Sequence, residues 1–313
     1  MWSTTVLILF AVLVGTVLPL AIPKQQLKLT SYDDKFARFK MFFLAAGAYG
    51  DDARPCMKSA YPNSTIDTVS KEVEVKCAKT DYCRGFTALS HTDSAIIVSF
   101  RGTNQFVQLI QQSVRTIFGA EEFIAGGYVS RYFYKAFRSV WNGGLKEDYL
   151  NLREKYPDYE VWLTGHSLGG AMASLCAATL SHLMQADPQK MLLMTFGQPR
   201  VGDQAYAEAH EALVPHSFRV VHNLDLVPHL PPLVLPVQGL FNGYRHHKSE
   251  VWYRNSMRVG DGFRVCNDGE SLKCSDGSLL PTISISDHLY YFQDDEWILN
   301  FGLDGCPIDL VSK

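Results

Sequence analysis

The segment from Tyr159 to Leu175 has the sequence YEVWLTGHSLGGAMASL, with the pattern G-x-S-x-G at Gly165 to Gly169. A β-rich run precedes the pattern and a run of small and apolar residues typical of a packed helix follows it. A serine at such a strand-turn-helix junction needs glycine two residues to either side, because the tight turn has no room for side chains there. We therefore predict that Ser167 is a nucleophile, and the alternative is an inert serine in a glycine-rich turn.

Short apolar or β-rich runs alternate with helical stretches along the chain. Helical patterns cover Val129 to Tyr156 and Gly169 to Gln185. The alternation predicts an α/β fold with a mainly parallel central sheet and helices on both faces. Of the predicted strands, MLLMTF is short enough to be a buried helix instead. The strands are Ala95 to Phe100 (AIIVSF), Tyr159 to Thr164 (YEVWLT), Met191 to Phe196 (MLLMTF) and Ser217 to His222 (SFRVVH).

The composition is that of one large globular domain. The 313 residues are 47% hydrophobic and 19% charged, and no Pro/Gly/Ser-rich linker, charge block or repeat divides them. We predict a single domain over residues 22–313. The net charge of −3, without any long basic run, argues against nucleic acid as a partner.

The amino-terminal segment predicts a signal peptide over residues 1–21. Val6 to Ile22 is apolar apart from Thr16, it is short for a membrane span of roughly 20 residues, and the small side chain of Ala21 suits cleavage. No Lys or Arg precedes this segment, so an uncleaved anchor is the alternative. We expect a protein that is secreted or held in the secretory lumen, with N-glycosylation at the sequon of Asn63.

The seven cysteines fit an oxidising compartment. Two pairs lie close together in sequence and each can close a small loop, which leaves the first and last cysteines to join the two ends; six cysteines nevertheless allow 15 pairings. Cys176 lies in an apolar helical run and is expected to be a buried thiol. Since no pair has the C-x2-C spacing of a zinc site, we expect no metal. The expected disulfides are Cys56–Cys306, Cys77–Cys83 and Cys266–Cys274.

A nucleophilic serine needs a histidine to take its proton and an acid to orient that histidine. After G-x-S-x-G these follow in the order acid, then histidine. Asp225 comes just after the predicted strand that ends at His222, and the loops at the carboxyl ends of strands hold the sites of open α/β sheets. Asp203 also follows a strand, and its alternative role is a helix N-cap. We favour Asp225 as the acid.

His288, in the late segment SDHLYYF, is the best-placed base. His246 and His247 are the alternatives, but they lie near Asp225 and ahead of another predicted strand, Glu250 to Tyr253. Structural roles are expected for His166, His222 and His229.

Acyl transfer also needs hydrogen-bond donors aimed at the developing oxyanion. The backbone N–H of Leu168, directly after the nucleophile, is one predicted donor. Thr103 follows the strand AIIVSF and can offer both a backbone N–H and a hydroxyl, while Arg101 beside it is expected to form a structural ion pair.

Five segments in order resemble the fungal-type class 3 lipases, the Rhizomucor-like triacylglycerol lipases of the α/β-hydrolase superfamily. The resemblance implies the α/β-hydrolase fold, the triad Ser167, Asp225 and His288, and an oxyanion hole of Thr103 and Leu168. It also implies one terminal and two local disulfides. The segments are SFRGT (Ser99 to Thr103), TGHSLGGAMASL (Thr164 to Leu175), FGQPRVGD (Phe196 to Asp203), HNLDLVPHLPP (His222 to Pro232) and DHLYYF (Asp287 to Phe292).

In that family a short helical lid covers the site, and the matching segment here is Asn104 to Gly119. Its apolar residues recur at helical spacing, a pattern equally typical of a core-packed helix. The loop from Leu230 to Leu240 is also apolar and is the predicted acyl groove. The predicted substrate contacts are Phe106, Leu109, Ile110, Leu230, Leu233 and Leu235.

We therefore expect a secreted serine ester hydrolase that cleaves lipid esters, above all triacylglycerol, through an acyl-enzyme and without a cofactor. The expected partner is a lipid at an oil–water or membrane interface, with no obligatory protein partner. A phospholipase or galactolipase and a feruloyl-type esterase are alternatives within the same chemistry. An inert lipid-binding protein on the same scaffold is the alternative outside it, and the complete chemical set argues against that alternative.

Overall fold

The computed structural model describes residues 31–77, 82–102, 119–233, 243–278, 284–293 and 296–311. In these ranges eight strands form one sheet in the order β1-β2-β3-β6-β7-β8-β9-β10, and β4 and β5 form a separate two-stranded ribbon. The strands are β1 (Thr68–Lys76), β2 (Tyr82–Ser90), β3 (Ala95–Phe100), β4 (Ala120–Glu122), β5 (Tyr128–Ser130), β6 (Glu160–His166), β7 (Met191–Phe196), β8 (Ser217–His222), β9 (Glu250–Tyr253) and β10 (Arg264–Cys266).

The five central strands β3, β6, β7, β8 and β9 run parallel, and the strands outside them pair antiparallel. The predicted α/β fold with a mainly parallel sheet is confirmed. MLLMTF is a strand and not a helix. Its position between β6 and β8 buries both of its faces, which is why it carries no polar alternation. β1 and β2 extend the sheet beyond the strands predicted from sequence.

Helices cover both faces of the sheet. The predicted helix over Val129 to Tyr156 is two helices joined at a π-helical turn, Trp141–Leu145, where Gly144 has a φ of 138°. Another π-helical turn, Ala37–Met41, joins the first two helices. The helices are α1 (Asp34–Phe36), α2 (Phe42–Gly47), α3 (Arg54–Ala60), α4 (Arg131–Val140), α5 (Lys146–Lys155), α6 (Leu168–His182), α7 (Gln204–Leu213), α8 (Ser286–Leu289) and α9 (Ile298–Leu303).

The sheet separates two hydrophobic cores, and β3 shows how one strand serves both. Ile96, Val98 and Phe100 pack into the core that contains α4 and α6. Ala95 and Ile97 point to the opposite core, with α2, α3 and α9. Successive side chains of a strand alternate between faces, so a continuously apolar strand is what a doubly covered sheet requires.

The three expected disulfides are present in the structure, at Cys56–Cys306, Cys77–Cys83 and Cys266–Cys274, and Cys176 is a buried free thiol. Burial raises the pKa of the Cys176 thiol well above its ordinary value, so it stays protonated and unreactive. The predicted signal peptide, residues 1–21, lies outside the described residues. None of the helices in the described part of the chain is long and apolar enough to cross a membrane.

Removing the Cys56–Cys306 disulfide with two serine substitutions is expected to lower the free energy of unfolding by about 5 kcal/mol, because it closes a loop of 250 residues in the unfolded chain. The same change at Cys77–Cys83, which spans 6 residues, is expected to cost only about 2 kcal/mol. Urea unfolding of the two double variants measures the difference. Equal losses would show that loop closure is not the source of the stabilisation.

Candidate active site

Ser167 occupies a sharp turn between β6 and α6. Its backbone has φ 60° and ψ −128°, a conformation that non-glycine residues rarely adopt. A Cβ at Gly165 would lie 2.4 Å from the carbonyl carbon of Gly169, and a Cβ at Gly169 would lie 2.1 Å from the carbonyl oxygen of Phe100. The two glycines therefore allow the close approach of strand and helix that this turn requires.

The structure brings Ser167, His288 and Asp225 into one hydrogen-bonded chain. His288 Nε2 lies 2.8 Å from Ser167 Oγ, and His288 Nδ1 lies 2.8 Å from Asp225 Oδ2. Ser167 is 2% exposed, while His288 and Asp225 are fully buried. A serine, a base and an acid in this order can move a proton from the hydroxyl and stabilise the resulting imidazolium.

Asp225 is held as a carboxylate by the groups around it. Burial alone raises the pKa of Asp225, but the His288 imidazole and hydrogen bonds from His288, Tyr291 and the Val227 N–H outweigh that effect and leave the pKa below its ordinary value. The Val227 N–H donates to Oδ1 at 2.8 Å, and the Tyr291 hydroxyl donates to Oδ2 at 2.5 Å. The acid is therefore ionised where it faces the histidine.

Sequence reasoning missed two residues that shape this site. Tyr291 follows His288 by three positions in DHLYYF, and no local pattern shows that its hydroxyl reaches Asp225. Gly197 has a φ of 57°, and a Cβ there would lie 2.8 Å from the His288 ring and 2.9 Å from Asp225 Oδ2. Because Gly197 has no side chain, it leaves the space that Asp225 and His288 occupy.

His166 supports the site from behind the nucleophile. Its Nδ1 lies 2.8 Å from the Tyr49 hydroxyl and its Nε2 lies 2.8 Å from the carbonyl oxygen of His288. Burial, reinforced by the neighbouring His288, lowers the pKa of His166 to about 3. His166 thus stays neutral where an ordinary imidazole would titrate, and it positions the His288 backbone, in keeping with the structural role expected for it.

The rival residues lie in other contacts. Asp203 caps α7 through its side chain, which accepts from the Tyr206 N–H at 2.9 Å. The His246 ring lies 2.7 Å from the Pro228 carbonyl oxygen, and the His247 ring lies 3.1 Å from the Gln198 side-chain nitrogen. None of these three contacts Ser167 or Asp225 among the described residues.

Of the predicted oxyanion donors, Leu168 is the first residue of α6. The Ser167 side chain does not cap this helix, which means that it accepts no hydrogen bond from the first backbone N–H groups of α6. Thr103 lies outside the described residues, but Gly102 before it packs against the nucleophile, since a Cβ there would lie 3.1 Å from Ser167 Cβ. Arg101 pairs with Glu74 at 3.3 Å.

The predicted substrate contacts are only partly described. Phe106, Leu109, Ile110 and Leu235 lie outside the described residues. Leu230 is buried in the core cluster that includes Leu168 and Val227, and Leu233 is half-buried. Among the described residues, no group of three or more His, Cys, Asp or Glu side chains could hold a metal ion.

Comparisons with known proteins find the same family that the sequence resembles. The family model for lipase (class 3) matches residues 97–235. The chain is 34% identical over 309 residues to the lipase ZK262.3 of Caenorhabditis elegans, covering 90% of this chain and 85% of that protein.

Two further matches involve the lipase of Rhizomucor miehei. The sequence is 37% identical over 172 residues, or 54% of this chain and 44% of that relative's length. The solved structure of the Rhizomucor miehei triacylglyceride lipase superposes with a TM-score of 0.72 at 26% identity, covering 88% of this chain and 98% of that one.

Replacing Tyr291 by Phe is expected to lower kcat by roughly ten- to a hundredfold, because a hydrogen bond to a charged group contributes about 1.5–3 kcal/mol. The substitution also removes a donor that lowers the pKa of Asp225. Asp225 Oδ2 should then interact more strongly with a protonated His288, which is the inactive form of the base, so activity should be lost at a higher pH on the acid side. Initial rates on soluble p-nitrophenyl butyrate across the pH range measure both effects.

Tyr206→Phe is the matched control, because Tyr206 is equally buried but its hydroxyl contacts Ser174 at 2.8 Å. We expect this variant to keep the acid side of the profile unchanged. A slower Tyr291→Phe enzyme with an unshifted profile would limit Tyr291 to a packing role.

Proposed function

This chain belongs to the class 3 lipases, which are carboxylic ester hydrolases, and we propose that it cleaves triacylglycerol through an acyl-enzyme on Ser167. The observation that carries the proposal is the buried chain of hydrogen bonds from Ser167 through His288 to Asp225, with 2.8 Å at each step. An inert binding protein would not require a serine, a histidine and an aspartate that are joined by hydrogen bonds in this order.

In the proposed reaction Ser167 Oγ attacks the ester carbonyl carbon while its proton passes to His288 Nε2. Asp225 accepts a hydrogen bond from His288 Nδ1 and stabilises the imidazolium. The imidazolium then protonates the departing alcohol oxygen, which leaves an acyl group on Ser167. A water molecule, deprotonated by His288 in the same way, releases the fatty acid and restores the serine.

The backbone N–H of Leu168 and the N–H and hydroxyl of Thr103 are the proposed donors to the oxyanion. The position of Leu168 at the start of α6 supports its part in this, since the positive end of the helix dipole points toward the developing charge.

A lipid substrate is supported by the family and by the apolar sequence of the predicted lid and acyl groove. The Rhizomucor relative is named a triacylglyceride lipase. The predicted lid, Asn104 to Gly119, lies outside the described residues except for Gly119.

The decisive comparison uses emulsified triolein and phosphatidylcholine with the native protein and Ser167→Ala. We expect fatty acid release from triolein that falls at least about a thousandfold in the variant, and a similarly large loss in Asp225→Asn. Titration of released acid measures the rates, and circular dichroism confirms that the variants are folded.

A preference for phosphatidylcholine would make the chain a phospholipase. Hydrolysis of triolein that survives Ser167→Ala would refute the proposed nucleophile. A folded native protein that turns over neither lipid nor any soluble ester would refute the enzyme itself.

We also propose that the protein enters the secretory pathway through residues 1–21 and carries a glycan on Asn63. The three disulfides support an oxidising compartment, and Asn63 is exposed in a turn, where an oligosaccharide transferase can reach it. Expression in a secretory host should release a protein that begins near residue 22 and shrinks on N-glycosidase treatment. The Asn63→Gln variant should be secreted without that change in mass. Retention of the uncleaved chain in membranes would favour the anchor instead.

A further inference from the structure

A cationic cleft opens beside the loop that carries Asp225. It is a cavity of about 390 Å³ whose lining includes Asn223, Trp252, Arg254, Arg264 and Lys273. A second cavity of about 230 Å³ shares Trp252, Arg254 and Arg264 with the first. We call the two cavities together the cationic cleft.

The three basic side chains of the cationic cleft are available to a ligand. Arg254, Arg264 and Lys273 are exposed, and within the described ranges none of them forms an ion pair with a carboxylate. Two carboxylates on the adjacent segment, Glu270 and Asp276, are instead paired with Arg200 at 2.8 and 3.2 Å. Asp287 is a further carboxylate beside the cleft, and it accepts hydrogen bonds from the Asn223 side chain and the Leu224 N–H. Three exposed cations therefore lie close together here in a chain whose net charge is −3.

Apolar side chains stand at the rim of the same cleft. Leu272, which helps to line it, is 79% exposed. Phe263 lines the second cavity and is 41% exposed, with one side of its ring packed against Tyr32 and Tyr253. Exposed aliphatic and aromatic groups interleaved with cations are typical of a surface that enters a lipid headgroup layer.

The cationic cleft lies at the edge of the sheet where the active site is built. His222 and Tyr253 end the parallel strands β8 and β9 in register, so Asn223 and Arg254 follow side by side. The Trp252 indole N–H donates to the Asn223 carbonyl oxygen at 2.9 Å, two residues before Asp225. The cationic cleft therefore adjoins the loop that carries Asp225.

We propose that the cationic cleft docks this protein on lipid surfaces that carry anionic phospholipid headgroups. Arg254 and Arg264 bind phosphate oxygens, for which a guanidinium is well shaped, Lys273 adds charge, and Leu272 inserts among the acyl chains. The backbone carbonyl of Lys273 accepts from Arg264 Nη1 at 2.6 Å and holds that guanidinium at the rim. The proposal goes beyond ester hydrolysis and does not depend on turnover.

The test is vesicle binding by the full chain in a Ser167→Ala background, so that the lipid stays intact. Vesicles of phosphatidylcholine alone are compared with vesicles containing phosphatidylglycerol, at low and high salt. We expect the triple variant Arg254→Gln, Arg264→Gln and Lys273→Gln to bind the anionic vesicles at least about tenfold more weakly. The difference should shrink in high salt, where exposed charges are screened.

A matched control removes three exposed lysines from α4 and α5, at the other end of the sheet: Lys135→Gln, Lys146→Gln and Lys155→Gln. It changes the net charge equally and should alter binding less than twofold. Leu272→Ser should weaken the part of the binding that persists in high salt. Thermal unfolding verifies that each variant is folded.

Equal losses in the two triple variants would overturn the proposal, because net charge alone would then explain the binding. Undiminished binding in the cleft variant would overturn it as well. So would a native protein that ignores anionic vesicles yet binds inorganic phosphate by calorimetry in a manner that requires Arg254 and Arg264, since the cleft would then be a small-anion site.

Discussion

The close approach of α6 to the sheet at Gly165 and Gly169 is the constraint on which the rest of the site depends. With a carbonyl oxygen of β3 only 2.1 Å from where a Cβ of Gly169 would lie, no other residue fits without moving the strand or the helix. This contact aligns the ends of β3 and β6 and forces Ser167 into its strained backbone conformation. The strain persists because α6 is buried along nearly its whole length and cannot relax.

The acid and the base reach Ser167 from two loops that behave as one unit. Ser284 exchanges backbone hydrogen bonds with Leu224 and Leu226, at 2.9 and 3.2 Å. The Asp287 carboxylate accepts from the Leu224 N–H at 3.0 Å, and the Tyr291 hydroxyl reaches Asp225. A buried carboxylate is costly unless it is fully hydrogen-bonded, and these contacts supply the partners that keep Asp225 charged inside the protein.

Buried charge also organises the far side of the sheet. Arg200 pairs with both Glu270 and Asp276, and Arg219 lies 3.7 Å from Glu250. Together with the Cys266–Cys274 disulfide, these pairs anchor the segment after β10, which otherwise has little regular structure. Glu270 and Asp276 of that segment face inward to Arg200, while Leu272 and Lys273, together with Asp268, are exposed. Because Glu270 and Asp276 pair with Arg200, these two carboxylates do not neutralise Arg264 and Lys273 of the cationic cleft.

Local sequence determined the parts of this protein that depend on neighbours in the chain. G-x-S-x-G between a strand and a helix predicted the turn at Ser167, and continuously apolar runs such as AIIVSF predicted strands covered on both faces. The order of residues along the chain reduced the candidates for the acid and the base to a few. Asp203, His246 and His247 remained as alternatives, because the spacing of residues in sequence does not give the distances between loops. Only the tertiary structure brought Asp225, His288 and Ser167 to within 2.8 Å contacts and placed the alternatives elsewhere. It alone revealed the roles of Tyr291 and Gly197 and the presence of the cationic cleft. Each of these features depends on residues that are far apart in sequence and meet only in the folded protein. A local sequence pattern does not show which distant residues will meet.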